Sequence, residues 1–205
     1  LGAIEAGPLF VENRYSDWHS YYPHQTLRVL WTLARWIDPL RLRMEFLNAT
    51  RKQELYAGDP LAPGNYSPAT LFASVMMANP LGWFEISNLP ASYFEEIAPL
   101  VKIWKSEREQ LSDSIIIPVG NAPDGAAWTG FIALGKDGKN GKALLFRELN
   151  ESSTAKFALP CIAKAQIESV ELLAGEGALE AESGRTIKAS IDKKLGFVFG
   201  RFRLA

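Results

Sequence analysis

The chain has 205 residues, 47% of them hydrophobic and 22% charged, with a formal net charge of −1. Such a length admits one large domain or two small ones, and the composition is that of a globular chain able to bury a core. A charge so near zero argues against nucleic acid and against an anionic membrane surface as partners, and the lone Cys161 excludes an internal disulfide.

The N-terminal stretch LGAIEAGPLF lacks Met and has neither the basic start nor the apolar core of a signal peptide. It runs straight into an apolar, strand-like segment, which predicts a piece of a longer chain or a processed form. No apolar run approaches the roughly 18 residues of a membrane span. Sequons at Asn48, Asn65 and Asn150 are short enough to occur by chance and carry little weight. No cysteine–histidine cluster has zinc spacing, so no metal or cofactor is expected, and the compartment stays open.

In chain order, the apolar run 9–15 predicts a strand. Leu27, Leu30, Trp31, Ala34 and Ile37 then recur at helical spacing, which predicts an amphipathic helix over 25–36, ended by Asp38-Pro39. In 41–48, Leu42, Met44 and Phe46 alternate with Arg41, Arg43 and Glu45, a strand period. Ser67-Pro68 supplies a helix cap and first turn for 68–78, and PLGWFEI reads as a strand over 80–86. Ser92-x-x-Glu95 is a capping box ahead of Phe94, Ile97, Val101, Trp104 and Leu111, which makes 92–111 the longest helix. Trp31, Trp36 and Trp104 fall on helical faces and are expected in the core. This strand–helix alternation predicts a parallel sheet with right-handed crossovers, and three units are too few to close an eight-stranded barrel.

After about residue 112 the character changes. Short runs (SIIIPVG, AAWTGFIAL, KALLFREL, AKFALP, IESVELLA, LEAES, TIKASI and GFVFGRFRL) are separated by turn signals such as Asp124-Gly125 and Asn140-Gly141. That spacing predicts an antiparallel β-sandwich. The expected fold class is thus α/β plus all-β, with domains at 1–111 and 112–205.

In a parallel α/β sheet, functional groups gather where strands end. Arg14, Ser16, Asp17, Trp18 and His19 follow the first strand, Asn48, Thr50 and Arg51 the second, and Glu85, Ser87 and Asn88 close the third. A carboxylate beside aromatic rings is raised toward general-acid duty, whereas an adjacent arginine pulls it down. Rings that stack on sugar faces, flanked by hydrogen-bonding groups, suit a carbohydrate, and no glycine-rich phosphate loop is present. Each residue also has a structural reading. Asp17 can be a helix cap or an arginine partner, and His19 and His24 hydrogen-bonded turn residues. Asn48 and Glu85 can simply end their strands, and Cys161 can be a small buried hydrophobe.

The ordered series ENRYSDWHSYYPHQTLRVLW, NPLGWFEISNLP, IWKSEREQL and AWTGFIAL…KALLFREL…FALP resembles the C-terminal part of the retaining α-galactosidases of glycoside hydrolase family 36 and its relatives. The resemblance implies the last three βα units of a (β/α)8 barrel over 1–111, followed by a β-sandwich over 112–205. It implies an α-galactoside or related carbohydrate as substrate and Asp17 as the acid/base. Arg14, Trp18 and Asn48 would contact the sugar. Retention needs two carboxyl groups roughly 5 to 5.5 Å apart. The lysine–x–aspartate strand that carries the family's nucleophile has no counterpart in the 205 residues. The isolated chain is therefore expected to be inactive, and to pair with the missing barrel part or with itself. The alternative is a non-catalytic carbohydrate-binding or interaction module built on the sandwich, with Trp128 and Phe131 as its aromatic candidates.

Overall fold

The structure, a computed structural model, describes residues 7–11, 22–46, 53–82, 89–160 and 165–205. Three short parallel strands, β1 (Leu9–Val11), β2 (Leu42–Glu45) and β3 (Asn79–Leu81), form a sheet in the order β1-β2-β3. Each is followed in the chain by a helix: α1 (Pro23–Leu33), α2 (Pro68–Ala73) and α3 (Ala91–Ser112). Leu42 and Met44 of β2 are buried while Arg43 is exposed, as the alternation requires. Glu45 departs from it, being only 3% exposed although it shares the period of Arg43. Among the described residues no helix is long and apolar enough to cross a membrane.

Helix α1 begins two residues before its expected start, because Pro23 takes the first helical position, where its missing N–H is no loss. Leu27, Leu30 and Trp31 form its buried face. Past Leu33 the backbone tightens, with Arg35 and Trp36 amides donating to Thr32 and Leu33 carbonyls at 3.3 and 2.9 Å. That turn breaks the helical period, so Trp36, expected in the core, is instead 83% exposed. Trp31 is buried as expected, with the Arg35 guanidinium 4.0 Å from its ring centre.

Ser67 caps α2 by accepting from the Thr70 amide at 3.1 Å. The helix stops at Ala73 rather than Ala78. Val75, Met76 and Ala78 amides bond three residues back, to Phe72, Ala73 and Val75, and these tighter turns lead the wholly buried run into β3. The capping box ahead of α3 is not used: Pro90 stands at the N-cap without a side-chain bond, and Ser92 is already helical. The buried face comprises Tyr93, Ile97, Leu100, Glu107 and Leu111, while Phe94 is exposed. Trp104 is half-buried and donates from Nε1 to the Met76 carbonyl at 3.0 Å.

Among the described residues, the second half carries eight antiparallel strands. β4 (Ser114–Gly120), β5 (Trp128–Gly135), β6 (Asn140–Arg147), β8 (Ile167–Gly175) and β11 (Gly196–Leu204) form a sheet in the order β4-β5-β6-β11-β8. β7 (Thr154–Ala158), β9 (Ala178–Glu182) and β10 (Thr186–Ser190) form a second, in the order β7-β10-β9. These are the strands the turn spacing predicts, each within a few residues. The central strands of the five-stranded sheet, β5, β6 and the first part of β11, are buried on both faces. Phe131, Leu144, Phe146, Phe197 and Phe199 join the core that contains Leu30, Met44, Met76 and Ile97. The intervening Ile132, Leu145 and Val198, with Phe202, join Phe157, Leu179 and Ile187 of the smaller sheet. Trp128 and Phe131, the expected aromatic surface, are 7% and 0% exposed, and Trp128 Nε1 donates to the Ser152 carbonyl. The two-residue period sends each of them into one of the two cores.

Polar joints tie the layers together. Lys142 of β6, 3% exposed, lies 2.7 Å from Glu107 Oε2 and 2.6 Å from Gln110 Oε1, both on α3. Arg147, 4% exposed, donates to the carbonyls of Asn150, Glu151, Ile191 and Asp192 at 2.7–3.1 Å. The Trp31 indole of α1 donates to the Val119 carbonyl of β4. Removing one partner of a buried ion pair leaves the other charge uncompensated. Glu107→Ala should therefore cost about 3–5 kcal/mol in urea unfolding, whereas the double variant Glu107→Met, Lys142→Met should recover most of it. A near-neutral Glu107→Ala would contradict this account of the joint.

Candidate functional site

Parallel pairing aligns Val11 with Met44 and Glu45 with Leu81, so the three strands end along one edge of the sheet. From that edge leave the segments 12–21, 47–52 and 83–88. Arg14, Asp17 and Trp18, together with Ser16 and His19, lie outside the described residues. So do Asn48, Thr50, Arg51, Glu85, Ser87 and Asn88, as well as Cys161. What the structure fixes is the platform from which they depart. Glu45, a buried carboxylate at the end of the middle strand, belongs to this edge and was not singled out from the sequence. Its signal was position: the last polar residue of an alternating strand at the end where βα segments leave.

A polar clasp lies where the chain re-enters the described region. The Tyr22 hydroxyl donates to Asp59 Oδ2 at 2.6 Å, and Asp59 Oδ1 accepts from the Leu61 amide at 2.8 Å. The Tyr22 ring meets Tyr56 edge-on and lies tilted against His24, each with centroids 5.4 Å apart. This ties the residue after segment 12–21 to the loop after segment 47–52. The Tyr22 bond, then the Leu61 amide, hold the Asp59 carboxyl below the usual range. The same bond, with burial and the Asp59 charge, pushes the Tyr22 hydroxyl up to about 12. His24 is the second residue of α1 and not a turn residue, and among the described residues its Nδ1 has no partner. Burial lowers its pKa, against the pull of Asp59 and Asp124.

A second carboxylate sits deeper. Glu148 Oε2 accepts three backbone N–H groups, from Asp124 at 3.1 Å and from Gly125 and Ala127 at 2.8 Å. Burial raises its pKa, and those three bonds oppose the rise. Asn65 and Asn150, both in sequons, spend their amides on the carbonyls of Asp59, Pro60 and Ala126. A cavity of about 690 Å³ opens between α2, α3 and strands β8 and β11, with Ser67, Glu96, Glu176, Lys193 and Phe197 among its lining. Among the described residues no group of three His, Cys, Asp or Glu side chains is placed to hold a metal.

The clasp sets a pH dependence. Asp59 is depressed, so its contribution is present above about pH 4 and fades as pH falls through the lowered value. Tyr22 is raised, so its contribution is present below about pH 10 and fades as pH rises toward 12. Tyr22→Phe should therefore be less stable than the parent at neutral pH in thermal unfolding, and the gap should narrow as pH falls through the lowered Asp59 value. A gap that widens in acid would contradict the bond.

No protein-family model matches the chain, and no curated protein matches it. Solved structures do. A family 36 α-galactosidase variant, AgaA from Geobacillus stearothermophilus in complex with 1-deoxygalactonojirimycin, superposes with a TM-score of 0.61 at 11% identity, over 89% of this chain and 24% of that one. The galactosidase domain of the α-galactosidase–sucrose kinase AgaSK gives 0.57 at 10% identity, over 89% and 25%. The family 36 enzyme AgaB from Geobacillus stearothermophilus gives 0.56 at 14%, over 89% and 24%. The chain thus spans about a quarter of the length of these α-galactosidases and shares its fold with that quarter.

Proposed function

We propose that the chain is the C-terminal part of an α-galactosidase-like glycoside hydrolase that works by retention with two carboxyl groups. The observation that carries this reading is the fold likeness to family 36 α-galactosidases over 89% of the chain. The ordered sequence motifs support the same assignment. On this reading residues 1–111 are the last three βα units of a (β/α)8 barrel and 112–205 are its β-sandwich. The order β1-β2-β3, with a helix after each strand, supports the first half. Among the described residues, β1 and β3 each pair only with β2, so their outer edges suit the remaining barrel strands or a second copy.

Asp17 is then the acid/base. As a second carboxylate attacks the anomeric carbon, Asp17 gives its proton to the departing oxygen; as water attacks the glycosyl intermediate, the Asp17 carboxylate takes the water's proton. On the same reading Trp18 helps wall the sugar subsite, Arg14 holds substrate or tunes Asp17, and Asn48 contributes to sugar binding. The attacking carboxylate comes from outside these 205 residues.

The rival module on the β-sandwich loses its aromatic platform, because Trp128 and Phe131 are buried. Its remaining place for a sugar is the 690 Å³ cavity beside α3. Sugar bound there, and not near Asp17, would favour it.

The isolated chain should not turn over an aryl α-galactoside, and light scattering should find it self-associated. Hydrolysis that disappears in Asp17→Asn would overturn the missing-nucleophile claim, and a strict monomer would count against the open edges. Joined to the segment that supplies the nucleophile, Asp17→Asn should lower kcat/KM by about 10² to 10⁴. An unchanged rate would remove Asp17 from the mechanism.

A further inference from the structure

Three polar atoms without hydrogen-bond partners among the described residues belong to residues that line one small pocket between α1, the start of α2 and the β6 end of the sandwich. They are His24 Nδ1, the Tyr66 hydroxyl and Glu148 Oε1. Tyr66 is 7% exposed and Glu148 3% exposed, and each of the three atoms is itself buried. Leu27, Thr70 and Phe146 are also among its lining. Thr70 Oγ1 is already engaged, 3.0 Å from Ser67 Oγ.

A buried polar atom without a partner costs on the order of 1–3 kcal/mol, and native proteins leave few of them. Three on residues that line one pocket point to a shared partner. The pocket offers about 20 Å³ to the centre of a water-sized sphere, and a water needs roughly 10–15 Å³ measured in that way, with two to four polar contacts. A hard metal ion wants about six oxygen ligands, more than this pocket supplies. The Arg147 guanidinium, next in sequence to Glu148, is spent on four backbone carbonyls.

We propose that this pocket is a binding site for one water molecule, which accepts from the Tyr66 hydroxyl and donates to His24 Nδ1 and Glu148 Oε1. Donors and acceptors balance with Glu148 ionised: the water gives its two protons to Nδ1 and Oε1 and receives the Tyr66 proton. Burial favours the neutral imidazole, whose unprotonated nitrogen must then be Nδ1 and whose proton must sit on Nε2. The water pins the second residue of α1 to the end of β6 by contacts that no direct bond replaces. It couples the sandwich to the helix that follows segment 12–21, whatever that segment does.

The test uses the 205-residue chain at neutral pH. A crystal structure that shows ordered solvent should place one density peak about 2.7–3.2 Å from all three atoms. No peak, a peak with metal-ion geometry, or His24 bonded directly to Glu148 would overturn the proposal. Imidazole ¹⁵N spectra give a second readout in solution, because the chain has two histidines and His24→Gln assigns the signals. The proposal expects the Nε2–H tautomer with Nδ1 shifted as an acceptor, and expects Tyr66→Phe to change that shift through the lost water contact. The Nδ1–H tautomer, or a His24 signal unmoved by Tyr66→Phe, would overturn it.

Discussion

The central strands β5 and β6 of the five-stranded sheet have no face to give to solvent, and the rest of the molecule follows from that. Seven successive residues of β5 are buried, and so are seven of β6. Because side chains alternate along a strand, Phe131 and Leu144 meet the helices and the parallel sheet, while Ile132 and Leu145 meet the smaller antiparallel sheet. A sheet buried on one side only would leave Phe131, Leu144, Phe146, Phe197 and Phe199 in water. Each such side chain is worth about 1.5–3 kcal/mol on burial. The helical layer is therefore a structural requirement of the sandwich and not an appendage to it.

Charged groups at this boundary are fixed by partners, as burial demands. Lys142 faces Glu107 and Gln110 across the α3–β6 contact, Arg147 gathers four carbonyls, and Glu148 gathers three amides. Trp31 and Arg28 of α1 reach the carbonyls of Val119 and Pro123. The functional consequence is mechanical. Val11, Glu45 and Leu81, from which the candidate site segments depart, stand on a sheet whose helices are locked to a rigid sandwich. A site of several converging side chains needs such a support to hold its geometry within a fraction of an ångström.

Most of the sandwich was legible because its signals are local. Alternation and Gly, Asn and Asp turns mark each strand from within a few residues. Failures occurred where packing overrode local pattern. Trp36 keeps a helical spacing that the chain abandons at Leu33, and Ser92 offers a cap that Pro90 pre-empts. The run 75–78 is apolar on every side, so no period could show that the helix ends before it. Glu45 shares the period of the exposed Arg43 yet is buried, a departure that alternation does not announce. His24, Tyr66 and Glu148 are far apart in sequence, and nothing short of the fold brings them to one pocket. The candidate acid Asp17 was legible only as a position, the residue after the first strand of a βα series, and its contacts lie in a segment outside the described residues.

Native-state hydrogen exchange in increasing urea tests the central claim, that the sheet and the helical layer stand or fall as one body. Amides of β5, β6 and β11 should merge with those of α1 and α3 into a single unfolding isotherm, with the same free energy and urea dependence. Helices that open with a smaller free energy, while β5, β6 and β11 stay protected, would contradict it. The sandwich would then have a core of its own, and the edge that bears the candidate site would be attached to it only loosely.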